Sequence, residues 1–163
     1  MNHAAARPQD ADTAQAPTQG LRARWSRVAD LLQRLVTHDL LALACRFGIA
    51  AIFFYSGRTK VSGFLMLTDS AVDLFRNEYK VPLLPPELAA HLAAYAEHLF
   101  PLLLVLGLFT RFSALALLGM TLVIQLFVYP DAWPTHLSWA AILLYLAGRG
   151  AGVLSLDRTL GIR

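Results

Sequence analysis

The stretch that decides the fold is residues 88–129, LAAHLAAYAEHLFPLLLVLGLFTRFSALALLGMTLVIQLFVY. It contains two long apolar runs, 88–109 and 112–129, which are separated only by Thr110 and Arg111. A helix needs roughly 17–25 predominantly apolar residues to cross a bilayer, and each run has that length. Two residues between the runs leave room only for a tight turn. The stretch therefore predicts a hairpin of two membrane-spanning helices.

The rest of the chain adds two more apolar runs, about 40–57 and 133–149. Of the 163 residues, 56% are hydrophobic and 15% are charged, whereas a soluble domain carries about 25% charged residues. Such a composition cannot be buried in one small soluble core, which nearly excludes a soluble enzyme. The lone Cys45 excludes a disulfide scaffold. The sequence predicts an all-α integral membrane protein, with residues 39–163 forming a four-helix bundle.

The N-terminal part has a different character. Residues 1–20 have almost nothing to bury, which predicts a disordered tail. In residues 21–38, apolar side chains recur at steps of three and four, and arginines occupy the other faces. This pattern predicts an amphipathic helix in the lipid interface on the cytoplasmic side; a soluble helix packed on a neighbour is the alternative. The apolar positions are Leu21, Trp25, Val28, Leu32 and Leu35.

The distribution of Lys and Arg predicts the orientation of the spans. With the N terminus in the cytoplasm, nine basic residues lie inside and four lie outside. This excess obeys the positive-inside rule, so both termini are predicted to be cytoplasmic. The basic residues do not cluster as a groove or recognition helix would require, which argues against nucleic acid as a partner. The inner ones are Arg7, Arg22, Arg24, Arg27, Arg34, Arg111, Arg149, Arg158 and Arg163; the outer ones are Arg58, Lys60, Arg76 and Lys80.

The connection between the first two spans, 58–87, is longer than a turn requires. Apolar residues share a helical face in its central part, and prolines in 81–86 then disfavour helix. The connection therefore predicts a short helix on the outer membrane surface, followed by a rigid extended entry into the second span. The apolar face consists of Phe64, Leu67, Ala71, Leu74 and Phe75.

Two charged residues interrupt the predicted spans, Arg46 in the first and Glu97 in the second. A charge inside a span costs about 2.5–3.5 kcal/mol on insertion scales, so it is a functional hypothesis by default. Small residues near both positions place the charges towards the inside of the bundle. We expect Arg46 and Glu97 to pair, with His98 completing an intramembrane polar core. Such a pair either fixes the helix register or serves a function, and the sequence leaves both open.

Four further polar residues fall near the predicted outer ends of the spans: Tyr55, His91, Gln125 and His136. They are candidate contacts for a quinone head group or for protons, above the polar core. Ordinary interfacial polarity is the alternative, because amphipathic rings favour membrane boundaries. No paired histidines and no Cys-His spacing suited to a metal occur in the sequence, so we expect no metal site.

Several short motifs, taken in order, resemble the DoxX family of small bacterial membrane proteins. They are LF at 74–75 through Tyr79, VPLLP at 81–85, Glu97, GLFTR at 107–111, GRG at 148–150 and SLD at 155–157. The resemblance covers roughly residues 40–160 and includes Arg46. This chain has Arg149 where the family usually has proline. The other family-type positions are Gly57, Lys60, Pro101, Gly107, Arg111, Gly148, Gly150 and Asp157.

The resemblance implies a multi-pass protein of the bacterial cytoplasmic membrane. The family takes its name from a small subunit associated with thiosulfate:quinone oxidoreductase, so the leading hypothesis is a membrane subunit of a quinone-linked redox complex. We expect no covalently bound cofactor, a quinone as the candidate ligand, and the lipid bilayer and a redox protein as partners; homo-oligomerisation stays open. The alternatives are a non-catalytic membrane anchor for a soluble partner and, with less support, a small-solute permease. Whether the chain is itself an enzyme also stays open.

Overall fold

The structure is a computed structural model that describes residues 16–162, most of which are helical. The chain divides into two compact units, Met1–Thr37 and His38–Arg163, and we call the second the helical unit. The first contains α1 (Ala16–Leu35). The helical unit contains, in order, α2 (His38–Arg58), β1 (Val61–Ser62), β2 (Met66–Leu67), α3 (Asp69–Leu74), a π-helical turn (Phe75–Tyr79), α4 (Pro86–Leu106), α5 (Thr110–Val123), a second π-helical turn (Ile124–Val128), a 3-10 turn (Pro130–Ala132), α6 (Trp133–Arg149) and α7 (Leu156–Thr159).

α1 forms where the sequence predicts the amphipathic helix, but its bounds differ. It begins at Ala16, so residues 16–20, which the sequence assigns to the tail, are helical. The rest of the predicted tail, 1–15, lies outside the described residues. Trp25 and Leu35 of α1 are exposed, as the apolar face of an interfacial helix would be.

Three helices of the described chain are long and apolar enough to cross a membrane: α2, α4 and the continuous helix Thr110–Val128. Such runs form helices because a segment in lipid must satisfy its backbone hydrogen bonds internally. α6 lies where the sequence predicts the fourth span, but its 17 residues make it shorter than the other three. The chain is therefore a mostly helical membrane protein.

The long helices of the helical unit share one apolar core. α2 packs on α4 and α6, and α5 packs on the same two helices. Ile49, Phe53, Leu104, Leu117 and Leu143 are buried in this core. The opposite faces of the helices expose many large apolar side chains, which soluble proteins seldom do and which suits contact with lipid. Examples are Leu99, Leu102, Leu115, Leu122 and Leu144.

The turn between α4 and α5 is as short as the sequence predicts. Gly107 ends α4 with φ 65°, a conformation that glycine adopts most easily. A Cβ at this position would lie 2.6 Å from Cβ of Ser155 and 2.8 Å from Nη2 of Arg46, so no larger residue fits. The Asp157 carboxylate accepts hydrogen bonds from the amides of Phe109 (2.7 Å) and Thr110 (2.9 Å). It thereby caps the N terminus of α5 from a distant part of the chain.

The connection between α2 and α4 contains the predicted short helix, α3, and a small antiparallel hairpin that the sequence does not predict. β1 pairs with β2 through Val61 with Leu67 and Ser62 with Met66. Phe64, assigned from sequence to the apolar face of the helix, instead lies in the hairpin turn and is 92% exposed. Strands this short escape prediction because they are fixed by one turn and a few backbone hydrogen bonds rather than by a hydrophobic pattern.

Arg46 is buried near the α4–α5 turn. Within residues 16–162, all of its hydrogen bonds go to backbone carbonyls. Its Nε donates to Leu104 O at 2.6 Å and its Nη2 to Val105 O at 2.6 Å. Its Nη1 donates to Ala151 O at 3.0 Å and Leu154 O at 2.7 Å. The last carbonyls of a helix lack partners within the helix, and the guanidinium has five N–H donors in a fixed fork. Arg46 therefore ties the end of α4 to the segment after α6.

The predicted pairing of Arg46 with Glu97 is wrong. α2 and α4 run antiparallel, so the first half of α2 lies beside the end of α4. In this register Arg46 meets Leu104, whereas Glu97 meets Ser56 at the far end of α2. The two charges therefore lie in different layers of the helical unit, and each has its own partners.

Candidate functional site

A buried ion pair joins Lys60 and Glu97 where α2 ends. Nζ of Lys60 lies 2.7 Å from Oε2 and 3.0 Å from Oε1 of Glu97. Ser56 completes the cluster: its hydroxyl donates to Oε1 of Glu97 at 3.1 Å, and Nζ of Lys60 donates to that hydroxyl at 3.0 Å and to Ser56 O at 3.2 Å. Lys60 and Glu97 are 4% and 3% exposed, so the two charges are almost completely removed from solvent.

The local chain path explains how this pair forms. Lys60 N donates to Gly57 O, which turns the chain at the end of α2, and Thr68 N donates to Lys60 O from the start of α3. The backbone of Lys60 is thus fixed from both sides, and its side chain runs back along α2. A Cβ on Gly57 would lie 2.9 Å from Cβ of Glu97 and 2.9 Å from Cε1 of His98. Glycine at this position therefore permits the close approach of α2 and α4 that brings the two charges together.

The ion pair lies on the wall of a cavity of about 410 Å³. All four long helices and the π-helical turn after α3 contribute to the wall, which is largely apolar. Phe53, Phe75, Met120 and Ile124 are among its apolar residues. Ligand pockets typically have about 300–1,000 Å³ and combine apolar walls with a few placed polar groups. The cavity has both properties.

Two tyrosines flank the cavity, each at the end of a π-helical turn. The rings of Tyr79 and Tyr129 meet edge to face with centroids 5.6 Å apart, and the hydroxyl of Tyr129 donates to Oε1 of Glu78 at 2.6 Å. This hydrogen bond raises the pKa of Tyr129, and burial raises the pKa of Tyr79. π-helical turns are rare and frequently occur at functional sites. Here they place two neutral phenols beside the buried ion pair.

His136 reaches the cavity from α6. Its Nδ1 lies 2.7 Å from Oε1 of Gln125, and Nε2 of Gln125 donates to Pro130 O at 2.7 Å. The His136 ring also packs against Trp139, with centroids 5.2 Å apart, and both residues line the cavity. Of the four residues predicted to lie in the outer polar layer, His136 therefore lines the cavity and Gln125 holds it.

The other predicted site residues lie elsewhere. Tyr55 is 72% exposed on α2. His91 bonds to Glu87 O and lines a separate surface cavity beside α3. His98 is buried against Gly57 and Phe54, with its Nδ1 2.6 Å from Ala94 O; its Nε2 has no hydrogen-bond partner among the described residues. The polar core predicted from sequence is thus divided, with Glu97 at the cavity, His98 behind it and Arg46 in another layer.

Several cavity residues escape the sequence analysis. From sequence, Lys60 is identified only as an outer basic residue and a family-type position, and Tyr79 only as part of a family-type motif; Ser56, Tyr129 and Trp139 have no assigned role. The spacing of Ser56 and Lys60 by four residues at the end of a span is the one signal available, because such residues share a helix face. Nothing in the sequence predicts the two π-helical turns. Within residues 16–162, no three His, Cys, Asp or Glu side chains gather as metal ligands.

The long apolar helices define a helical membrane protein, and its ligand-sized cavity with a buried ion pair is the candidate site. The DoxX family matches residues 41–130, more than half of the chain. The chain belongs to the DoxX family. An uncharacterized protein of Haemophilus influenzae is 34% identical to it over 126 residues, which cover 71% of this chain and 80% of that protein. No solved structure matches the chain.

The family-type residues form two groups in the structure. Lys60 and Glu97 line the cavity, and Gly57 packs against Glu97 next to it. The second group surrounds the α4–α5 turn, where Arg111 donates to Gly148 O at 2.7 Å and a Cβ on Gly150 would lie 3.5 Å from Nη2 of Arg111. This second group, which includes Arg46, Gly107 and Asp157, binds backbone atoms and joins chain segments. We therefore treat the first group as the candidate functional site and the second as structural.

Proposed function

We propose that this protein is a membrane subunit of a quinone-linked redox complex and that the cavity beside Lys60 and Glu97 binds the quinone head group. The observation that carries the proposal is the buried, hydrogen-bonded ion pair on the wall of an otherwise largely apolar, ligand-sized cavity. Membership of the DoxX family supports the membrane location. The resemblance to the subunit associated with thiosulfate:quinone oxidoreductase supplies the redox context.

The charge balance of the cavity favours an uncharged ligand. Glu97 compensates Lys60, so an anion such as thiosulfate finds no free positive charge at this pair. Bringing an unpaired charge into an apolar environment is costly, whereas a quinone is uncharged and its carbonyls accept hydrogen bonds. We therefore assign any anionic substrate, and the delivery of electrons, to a protein partner.

The residues present can hold a quinone ring. An ammonium has three N–H donors, and the weakest of the Lys60 contacts, 3.2 Å to Ser56 O, is the one that a ligand carbonyl can replace. Glu97 lies next to Lys60 and can hold a proton beside the same carbonyl, while Tyr79 and Trp139 contribute aromatic side chains to the cavity wall. A bound quinone would supply reversible uptake of two electrons and two protons at this position.

Binding of a ubiquinone-type quinone to the purified protein tests the proposal. The double variant Lys60→Met with Glu97→Leu removes both charges together, keeps the side-chain volumes similar and is expected to fold. We expect it to bind at least about tenfold more weakly than the wild type, because hydrogen bonds to charged groups contribute about 1.5–3 kcal/mol. Quenching of tryptophan fluorescence, with Trp139 on the cavity wall, measures the affinity.

Arg76→Met is the matched control for this binding experiment. It removes an exposed ion pair with Asp73, 3.3 Å long, that does not line the cavity. Its affinity for the quinone should equal that of the wild type. Wild-type affinity in the double variant would contradict the proposal and leave the membrane anchor as the better hypothesis.

We further propose that α6 is the fourth span of a four-helix bundle in the bacterial cytoplasmic membrane, with both termini in the cytoplasm. The excess of basic residues on the side of the termini supports this orientation. The packing of α6 on α2 and α5 supports its membership of the bundle. The 17 residues of α6 are at the lower end of the roughly 17–25 that a span needs.

Cysteine accessibility tests this topology. With Cys45 replaced by Ala, single cysteines at Arg111 and Arg158 should be labelled by a membrane-impermeant reagent only after the membrane is opened. A cysteine at Asp73, which is exposed in the connection between α2 and α4, should be labelled in intact spheroplasts. Labelling of Arg158→Cys in intact spheroplasts, with Arg111→Cys still protected, would show an odd number of spans between these positions and exclude the four-span topology.

A further inference from the structure

The cavity has room for a ring but not for a long hydrocarbon chain. Its volume of about 410 Å³ is near the lower end of the about 300–1,000 Å³ that ligand pockets have. A membrane-soluble quinone carries such a chain on its ring. A quinone ring bound beside Lys60 therefore requires a path by which its hydrocarbon chain leaves the protein.

Residues of both α4 and α5 extend from the cavity wall to the outer surface of the helical unit. Leu92 of α4 and Val123 of α5 line the cavity and are also 51% and 37% exposed. Near their common turn the two helices are closed by the contact of Phe100 with Phe112, whose ring centroids lie 5.9 Å apart. Farther from the turn, Ala96 and Met120 also line the cavity, and the side chain of Ala96 is small. We call Leu92, Ala96, Met120 and Val123 the α4–α5 portal.

A second apolar path lies on the other side of α5 but is closed. A groove of about 720 Å³ between α5 and α6 is lined by Gly119, Leu122 and Leu137, among others, and shares His136 with the cavity. His136 is bonded to Gln125, and Gln125 to Pro130 O, both at 2.7 Å. A chain that left through this groove would have to displace these hydrogen-bonded side chains. At the α4–α5 portal, the hydrocarbon chain would have to displace only apolar side chains.

We propose that the α4–α5 portal is a lateral opening to the bilayer and that it holds the first part of the hydrocarbon chain of the bound quinone. This inference rests on the proposed function, because it takes the ring to be in the cavity. α4 and α5 both expose large apolar side chains beside the portal, so its outer end faces the environment in which such a chain is soluble. The portal thus selects ligands that combine a small polar ring with an apolar chain.

A comparison of two quinones tests the portal: a ubiquinone-type ring without a chain, and the same ring with a decyl chain. Ala96→Phe should lower the affinity for the decyl quinone about tenfold relative to the affinity for the chain-free ring, because excluding two methylene groups from apolar contact corresponds to that loss. The ratio of the two affinities is the readout, because Ala96 also lines the cavity that holds the ring. Val123→Trp should show the same larger loss for the decyl quinone. It is the variant to use if Ala96→Phe does not fold.

Two variants control for added bulk on the lipid-facing surface. Gly119→Leu fills the α5–α6 groove, where a Cβ meets nothing within 4 Å, and Ala44→Phe adds a ring to an exposed position of α2. Both should bind the two quinones like the wild type. Equal losses for both quinones in the portal variants, or a chain-selective loss in Gly119→Leu, would overturn the portal. A wild-type protein that does not bind the chain-free ring would instead overturn the proposed function on which the portal rests.

Discussion

Glu97→Leu is expected to lower the free energy of unfolding by about 3–5 kcal/mol, because it strands the ammonium of Lys60 in an apolar wall. Lys60 is 4% exposed, and after the change its Nζ retains only the two oxygens of Ser56 among its contacts in the described chain. The effect is measured as a lower unfolding temperature of the purified protein in detergent, or as a smaller amount of the protein in the membrane.

Adding Lys60→Met to Glu97→Leu should recover most of this loss. Replacing both members of a buried pair with apolar residues is often neutral or stabilising, since no charge is left without a partner. The double-mutant cycle should therefore give a coupling energy of several kcal/mol. The exposed pair Asp73–Arg76 is the matched comparison, and its cycle should give about 1 kcal/mol or less. A stable Glu97→Leu single variant would show that the two groups do not form a pair.

Arg46→Met is expected to be the most destabilising single change, at several kcal/mol. The carbonyls of Val105, Ala151 and Leu154 would lose the Arg46 donor together, as would Leu104 O, which keeps a hydrogen bond from Gly107 N. A buried group left unsatisfied costs about 1–3 kcal/mol. Arg46→Lys should recover only part of the loss, because an ammonium is a compact charge and lacks the planar fork that reaches several carbonyls. The thermal transition of each variant checks this order.

A second double-mutant cycle tests whether Arg46 contributes to stability independently of the cavity residue Glu97. Arg46 and Glu97 share no partner within residues 16–162, so Arg46→Met and Glu97→Leu should act additively within about 0.5 kcal/mol. The proposed quinone affinity of any folded Arg46→Lys protein should equal that of the wild type, since Arg46 does not line the cavity. A large coupling between Arg46 and Glu97 would contradict the antiparallel register of α2 and α4.

The sequence by itself determined the class of protein and the positions of its long helices. Apolar runs of sufficient length can satisfy their backbone only as helices in lipid, so the runs at 40–57, 88–109, 112–129 and 133–149 lie close to the helices that the structure shows. The two residues between the middle runs also determined the tight turn. The same local reasoning identified Arg46 and Glu97 as the charges that need partners.

Only the tertiary structure decided which partners they have. The side-chain pattern of one helix shows which residues face inward, but not how far a neighbouring helix is shifted along it. Because α2 and α4 pack in this antiparallel register, Glu97 pairs with Lys60, and Arg46 donates hydrogen bonds to the carbonyls at the end of α4. The π-helical turns that bring Tyr79 beside Tyr129 were equally hidden, because one extra residue in a helical turn leaves no mark in an apolar sequence. The cavity is lined by residues from all of these separate elements. Its chemistry therefore depends on how the elements pack together.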